Sequence, residues 1–193
     1  PRANLRFNPT QNINLRLSYS SGFRAPQAFD EDMHIENVGG TVAMIERAKD
    51  LKEEKSQSFS VSADMYHRFG AFQTNLLIEG FYTRLTDVFV LGKPYDRGDG
   101  ILVKTRSNGP GAKVMGLTLE GKVAYLSILQ IQAGLTLQRS RYDEPHKWHD
   151  DAPAEKKIFR TPDTYGYFTA TCTPIKPLSI ALSGTYTGRM LVQ

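Results

Sequence analysis

Residues 53–69 read EEKSQSFSVSADMYHRF. Through the middle of this run Phe59, Val61, Ala63 and Met65 alternate with Ser58, Ser60, Ser62 and Asp64. Successive side chains of a strand point to opposite faces, so this spacing predicts one apolar and one polar face. No Gly or Pro interrupts it. Strands of globular proteins usually hold about 5–6 residues. At ~3.3 Å per residue this run would extend on the order of 55 Å, or ~40 Å along a bilayer normal at the tilt of membrane-crossing strands. That crosses a hydrocarbon layer of about 30 Å and projects beyond it. A soluble sandwich has little use for such length.

The same period continues outward. Ile131, Ala133, Leu135 and Leu137 alternate with Gln130, Gln132, Gly134, Thr136 and Gln138. Met115, Leu117, Leu119 and Val123 oppose Thr118, Glu120 and Lys122, and Leu178, Ile180 and Leu182 oppose Ser179, Ser183 and Thr185. By parity Phe168, Ala170 and Cys172 join the apolar set. Residues 74–91 are strand with an open facing, because Leu76, Ile78 and Tyr82 share one face while Leu77 and Phe81 lie on the other. About eight strands follow, over 3–7, 12–20, 53–69, 72–90, 101–123, 128–140, 164–173 and 178–190. Short turns at 8–11, 69–71 and 174–177 alternate with long polar links at 21–52, 92–100 and 141–162. Short and long connections therefore fall at opposite ends. The expected fold is all-β: an antiparallel transmembrane β-barrel segment with short periplasmic turns and long extracellular loops.

Composition narrows the classes. The chain has 193 residues, 40% of them hydrophobic, and no window of 18 apolar residues, so no transmembrane helix is expected. Its 24 basic and 20 acidic residues are spread without a Lys/Arg cluster, which argues against a nucleic-acid partner. Cys172 is the single cysteine and forms no internal disulfide. No signal peptide is visible at Pro1, and a start without Met leads us to expect a piece of a longer protein.

Three motifs resemble those of TonB-dependent outer-membrane receptors. Gly22-Phe23-Arg24-Ala25-Pro26 is similar to the "GFRAP" corner where a rising strand enters an external loop. Leu51-Lys52-Glu53-Glu54-Lys55-Ser56 is similar to "LKPEKS", with Glu53 in place of the proline. Asn108 to Glu120, NGPGAKVMGLTLE, is similar to an Asn, then Gly and Ala, then "GVELEG" pattern, with Leu117-Thr118 departing from Val-Glu. The resemblance runs over essentially the whole chain. It implies one part of a larger plugged barrel of 22 strands in the outer membrane of a Gram-negative bacterium, with the plug domain and the remaining strands outside residues 1–193. It further implies import of a scarce nutrient, a ferric chelate first among the cargo classes, with energy from the TonB complex reached through the plug and an N-terminal segment, and outer-membrane lipid around the wall.

Candidate contact residues lie in the long links: Arg24, His34, Tyr142, His146, Trp148 and His149, joined by Lys147. Cationic and aromatic groups suit an anionic, ring-bearing chelate. Arg24 also has a structural reading, since Pro26 ends the strand and Arg24 can pair with Asp30 or Glu31 across the loop base. His34 follows the first motif as an iron-ligating histidine does in some haem receptors, but no second "NPNL" box precedes Leu51. His146 and His149, with Asp150 and Asp151, have metal-ligand chemistry in a segment that imposes no ligand geometry, so no metal and no cofactor is expected. Arg97-Gly98-Asp99 reads as a turn, and GPGAK lacks the spacing of a phosphate loop. No Ser-His-Asp set or carboxylate pair supports catalysis, so an enzyme is not expected. The rival readings are a passive or adhesin-like barrel, a receptor for haem, cobalamin or oligosaccharide, and a soluble all-β module whose apolar faces pack on each other.

Overall fold

The computed structural model describes residues 1–26, 43–98, 102–146 and 153–192. Every regular element among them is a strand: β1 (Arg2–Thr10), β2 (Ile13–Arg24), β3 (Ala43–Arg47), β4 (Glu54–Phe69), β5 (Phe72–Thr86), β6 (Phe89–Leu91), β7 (Tyr95–Asp96), β8 (Leu102–Asn108), β9 (Ala112–Tyr125), β10 (Leu129–His146), β11 (Glu155–Lys157), β12 (Thr164–Ile175) and β13 (Leu178–Thr187). The eight long strands form one antiparallel sheet in the order β1-β2-β4-β5-β9-β10-β12-β13, and β11 adds to the outer part of β10. β1 and β13 are its edges and do not pair with each other.

Register converts the alternation of single strands into continuous faces. Leu5, Leu17, Val61, Gly80, Leu117 and Leu137 align across six strands, and so do Phe7, Leu15, Ala63, Ile78, Leu119 and Leu135 one step further along. The other face aligns Arg16 with Ser62, Glu79, Thr118 and Thr136. The facing of β5 is thereby fixed: Leu76, Ile78 and Tyr82 belong to the apolar face, and Leu77 and Phe81 to the polar one. Leu77 lies between Asp64 and Glu120, which is why its strand alone obscured the period.

No described residue packs over the apolar face. Leu17, Val61, Leu135, Ile180 and Leu182 are all exposed, whereas the buried hydrophobic positions among the described residues are Val103 and Ala112. A soluble module would pack this face away, so that rival has no support here. Aromatic rings bound the face at both ends. Tyr19 and Phe59 stack at 4.8 Å with Tyr82 beside them in register. Phe72 and Tyr125 meet at 4.7 Å, with Phe69 opposite Phe72. Phe59 and Phe69 are ten positions apart along β4. That is ~33 Å of strand, or ~25 Å along the normal at a tilt of ~40°, the height of the apolar band of a membrane barrel with its two girdles.

At one end the strands join through tight turns at residues 11–12, 70–71, 126–128 and 176–177. Gly70 takes φ +57°, a left-handed turn conformation that glycine adopts without a Cβ penalty. At the other end the links are long, and two of them, between β2 and β4 and between β5 and β9, together build a second small sheet in the order β3-β8-β6, with β7 beside β8. β3 runs parallel to β8, which places Val103 between Met44 and Tyr95 at the sheet's centre, fully buried. The expected strands 72–90 and 101–123 are therefore each divided. Asp87, at φ +56°, turns the chain out of β5, and Gly109-Pro110-Gly111 separates β8 from β9. The link expected at 92–100 is really 87–111, and β10 continues to His146, six residues into what was read as loop.

Candidate functional site: the rim and the inner wall

Two regions carry polar chemistry, the rim at the loop end and the polar face below it. At the rim the three sequence motifs meet. The Asn108 side chain accepts from the Lys52 N–H at 2.7 Å and donates to the Lys52 carbonyl at 3.0 Å and the Asp87 carbonyl at 2.8 Å. Asn108 thus joins the links before β4, after β5 and before β9. Glu54, opposite Arg24 in register, accepts from the Phe89 N–H at 3.1 Å, and the Arg24 guanidinium lies 5.6 Å over the Phe89 ring. The spacing of the motifs now has a physical reason: each supplies one part of a single brace. Arg24 acts in that brace through a cation–π contact, while Asp30 and Glu31, its expected partners, lie outside the described residues.

Beside the brace, Pro26, Glu46, Arg47, Ala48, Lys49 and Leu51 line a shallow pocket of about 640 Å3. Glu46 accepts from the Tyr95 hydroxyl at 3.4 Å and faces Arg97 at 3.8 Å. Tyr142 lies on the polar face above the outer aromatic girdle, opposite Ala112, and burial raises its phenol above the usual value of 10.0. It therefore stays neutral at physiological pH. His34, Lys147, Trp148 and His149 fall outside the described residues, and of His146 only the strand backbone is described. The structure thus brings Arg24 and Tyr142 to the same end of the same face.

Sequence reasoning did not single out the inner wall. Tyr167 donates to Glu120 at 2.6 Å, and the Gln132 amide donates to both Glu120 at 2.9 Å and the Tyr167 oxygen at 2.7 Å. The Tyr167 ring lies across Gly134, where an added Cβ would come within 2.5 Å of it. Gly134 is the register partner of both Glu120 and Tyr167. The polar alternation held the signal, but only the register brings the three residues together. Among the described residues no group of three His, Cys, Asp or Glu side chains is placed to hold a metal ion.

A sequence profile described as "TonB dependent receptor-like, beta-barrel" matches residues 1–189. The chain belongs to that family. It is a segment of a TonB-dependent receptor β-barrel, and its apolar face, with its girdles, is exposed. No curated protein sequence matches it. Among solved structures it is similar to the FrpB iron transporter of Neisseria meningitidis (TM-score 0.64, 17% identity, covering 97% of this chain and 26% of that one). It is also similar to the ferric-catecholate import receptor Fiu of E. coli (TM-score 0.65, 15% identity, 98% and 24% covered) and to the siderophore receptor PirA of Pseudomonas aeruginosa (TM-score 0.65, 17% identity, 96% and 34% covered). At these identities the likeness is one of fold. The chain spans about a quarter to a third of the length of these relatives.

Proposed function

We propose that residues 1–193 are part of the wall and rim of an outer-membrane receptor of a Gram-negative bacterium, one that binds a ferric chelate and imports it with energy from the TonB complex. The observation that carries the reading is the family match over residues 1–189 of a sheet whose outer face is apolar over the height of a bilayer. The iron and siderophore names of its structural relatives support the choice of cargo class. In this reading the receptor is a transporter and not an enzyme, and the plug that contacts TonB is supplied by chain outside these residues. Arg24, Tyr142, the pocket beside Arg47 and Lys49, and His34, His146, Trp148 and His149 in the links are the rim groups that would meet an anionic chelate.

The test uses the full-length receptor in cells that lack other iron receptors. Radiolabelled ferric catecholate, haem, cobalamin and an oligosaccharide are supplied singly. Uptake of the ferric chelate that falls severalfold when residues 147–154 are deleted is expected, because that deletion takes only residues between β10 and β11. Uptake of the oligosaccharide alone would overturn the cargo and leave the barrel standing.

A further inference from the structure

On the apolar face, one step beyond the outer girdle, the register lines up Arg84, Lys113, Arg141 and Lys157 on four neighbouring strands. Arg139 lies one step below, opposite Met115. Like charges directly opposite one another destabilise a sheet, so such a row calls for anions. The described carboxylates bonded to this row are two. Asp143 reaches Arg84 at 3.1 Å and Lys113 at 3.4 Å, and Asp163 reaches Lys157 at 2.6 Å. Arg139 and Arg141 are exposed and have no ion-pair partner among the described residues. Five cations thus face two carboxylates at the level where lipid headgroups begin.

A second, independent feature lies directly beneath. Gly80 breaks the apolar row between Val61 and Leu117, and a shallow groove of about 710 Å3 runs over it, lined by Leu17, Val61, Leu117 and Leu137 and reaching Arg139 and Asp163, the latter paired with Lys157. An apolar groove that reaches the Arg139 guanidinium, one step below the exposed Arg141, fits an amphiphile with an anionic head. Guanidinium forks pair with phosphate oxygens through two parallel hydrogen bonds.

We propose that this patch is a lipid site, in which the phosphate of an anionic lipid sits among Lys113, Arg139 and Arg141 while an acyl chain occupies the groove over Gly80. The site rests on the membrane-facing surface of the barrel and not on the cargo, so a receptor that failed to import iron would leave it intact.

The test is retention of dioleoyl phosphatidic acid by the purified full-length receptor in detergent micelles, read by native mass spectrometry, with dioleoyl phosphatidylcholine as the neutral-headgroup control. Phosphatidic acid should be retained and phosphatidylcholine should not. K113Q together with R141Q should lower retention about thirtyfold, at roughly fivefold for each cation removed from a membrane surface. Both residues are on the surface of paired strands; K113Q gives up an exposed ion pair with Asp143, which Arg84 keeps, while like-charge repulsion is relieved, so thermal stability in lipid-free detergent should be little changed. D143N should act oppositely and raise retention. G80L should weaken it with the charges untouched, because a Cβ there meets only Val61, at an ordinary 3.8 Å, and the longer side chain fills the groove. Equal retention by the double variant, equal retention of phosphatidylcholine, or full displacement by millimolar inorganic phosphate would each overturn the proposal.

Discussion

At the scale of single residues, the rim depends on a few side chains that satisfy backbone groups far apart in sequence. Asn108 serves three backbone groups on two links, and an Ala there would leave each without its partner. A net hydrogen bond contributes about 1 kcal/mol, so N108A should destabilise the folded full-length receptor by about 1–3 kcal/mol in a urea unfolding titration. N108D keeps the acceptor for Lys52 N but sets a carboxylate oxygen against the Lys52 and Asp87 carbonyls, and should cost at least as much as N108A. A stability equal to the parent's would remove the brace as an explanation of the motifs. The Asn108–Lys52 contact was not legible in the sequence because its partners are 56 positions apart. Arg24 was legible as the residue of a corner, but its actual contact, Phe89, lies in a strand that the expected run 72–90 had absorbed into β5.

At the scale of elements, β10 allows the two faces to be compared on one strand. Leu135 lies between the girdles on the lipid side, and Arg in its place puts a charge near mid-bilayer, a cost of roughly 2–4 kcal/mol in such barrels. Gln132 faces the inner wall beside Glu120, where an Arg would meet a carboxylate. L135R should therefore lower the folding free energy of the full-length receptor in vesicles by several times more than Q132R. The reverse order would exchange inside and outside. Cys172 shares the lipid face through its register with Leu129 and Ile180, so a membrane-impermeant maleimide should label it far more slowly in membranes than a cysteine introduced at Thr171. Equal rates would break the facing of β12. The alternation was readable strand by strand because lipid on one side and polar groups on the other impose period 2 directly. Residues 102–108 were misread for the opposite reason: β8 is sandwiched between other strands in the small sheet, so it carries no lipid-facing signal to separate it from β9.

At the scale of the whole molecule, the sheet has an apolar face with nothing over it and two edges that pair with nothing further among the described residues. The length of its strands and the asymmetry of its turns were legible in the sequence, because both follow from local chain chemistry. How the edges pair was not, since β1 and β13 have no further strand partner among the described residues. Unpaired edge groups template association, and exposed apolar area drives it. Residues 1–193 produced alone should therefore pellet on ultracentrifugation in buffer without detergent, and in micelles should bind detergent in proportion to the apolar band. Charge on the edge strands, for example L5K with L182K, should reduce association in water only in part, because the band between the girdles stays exposed at Val61, Leu117 and Leu135. A monodisperse monomer in plain buffer, seen by sedimentation velocity, would mean that the apolar face packs on itself, and would return the chain to the soluble β class despite its strand length.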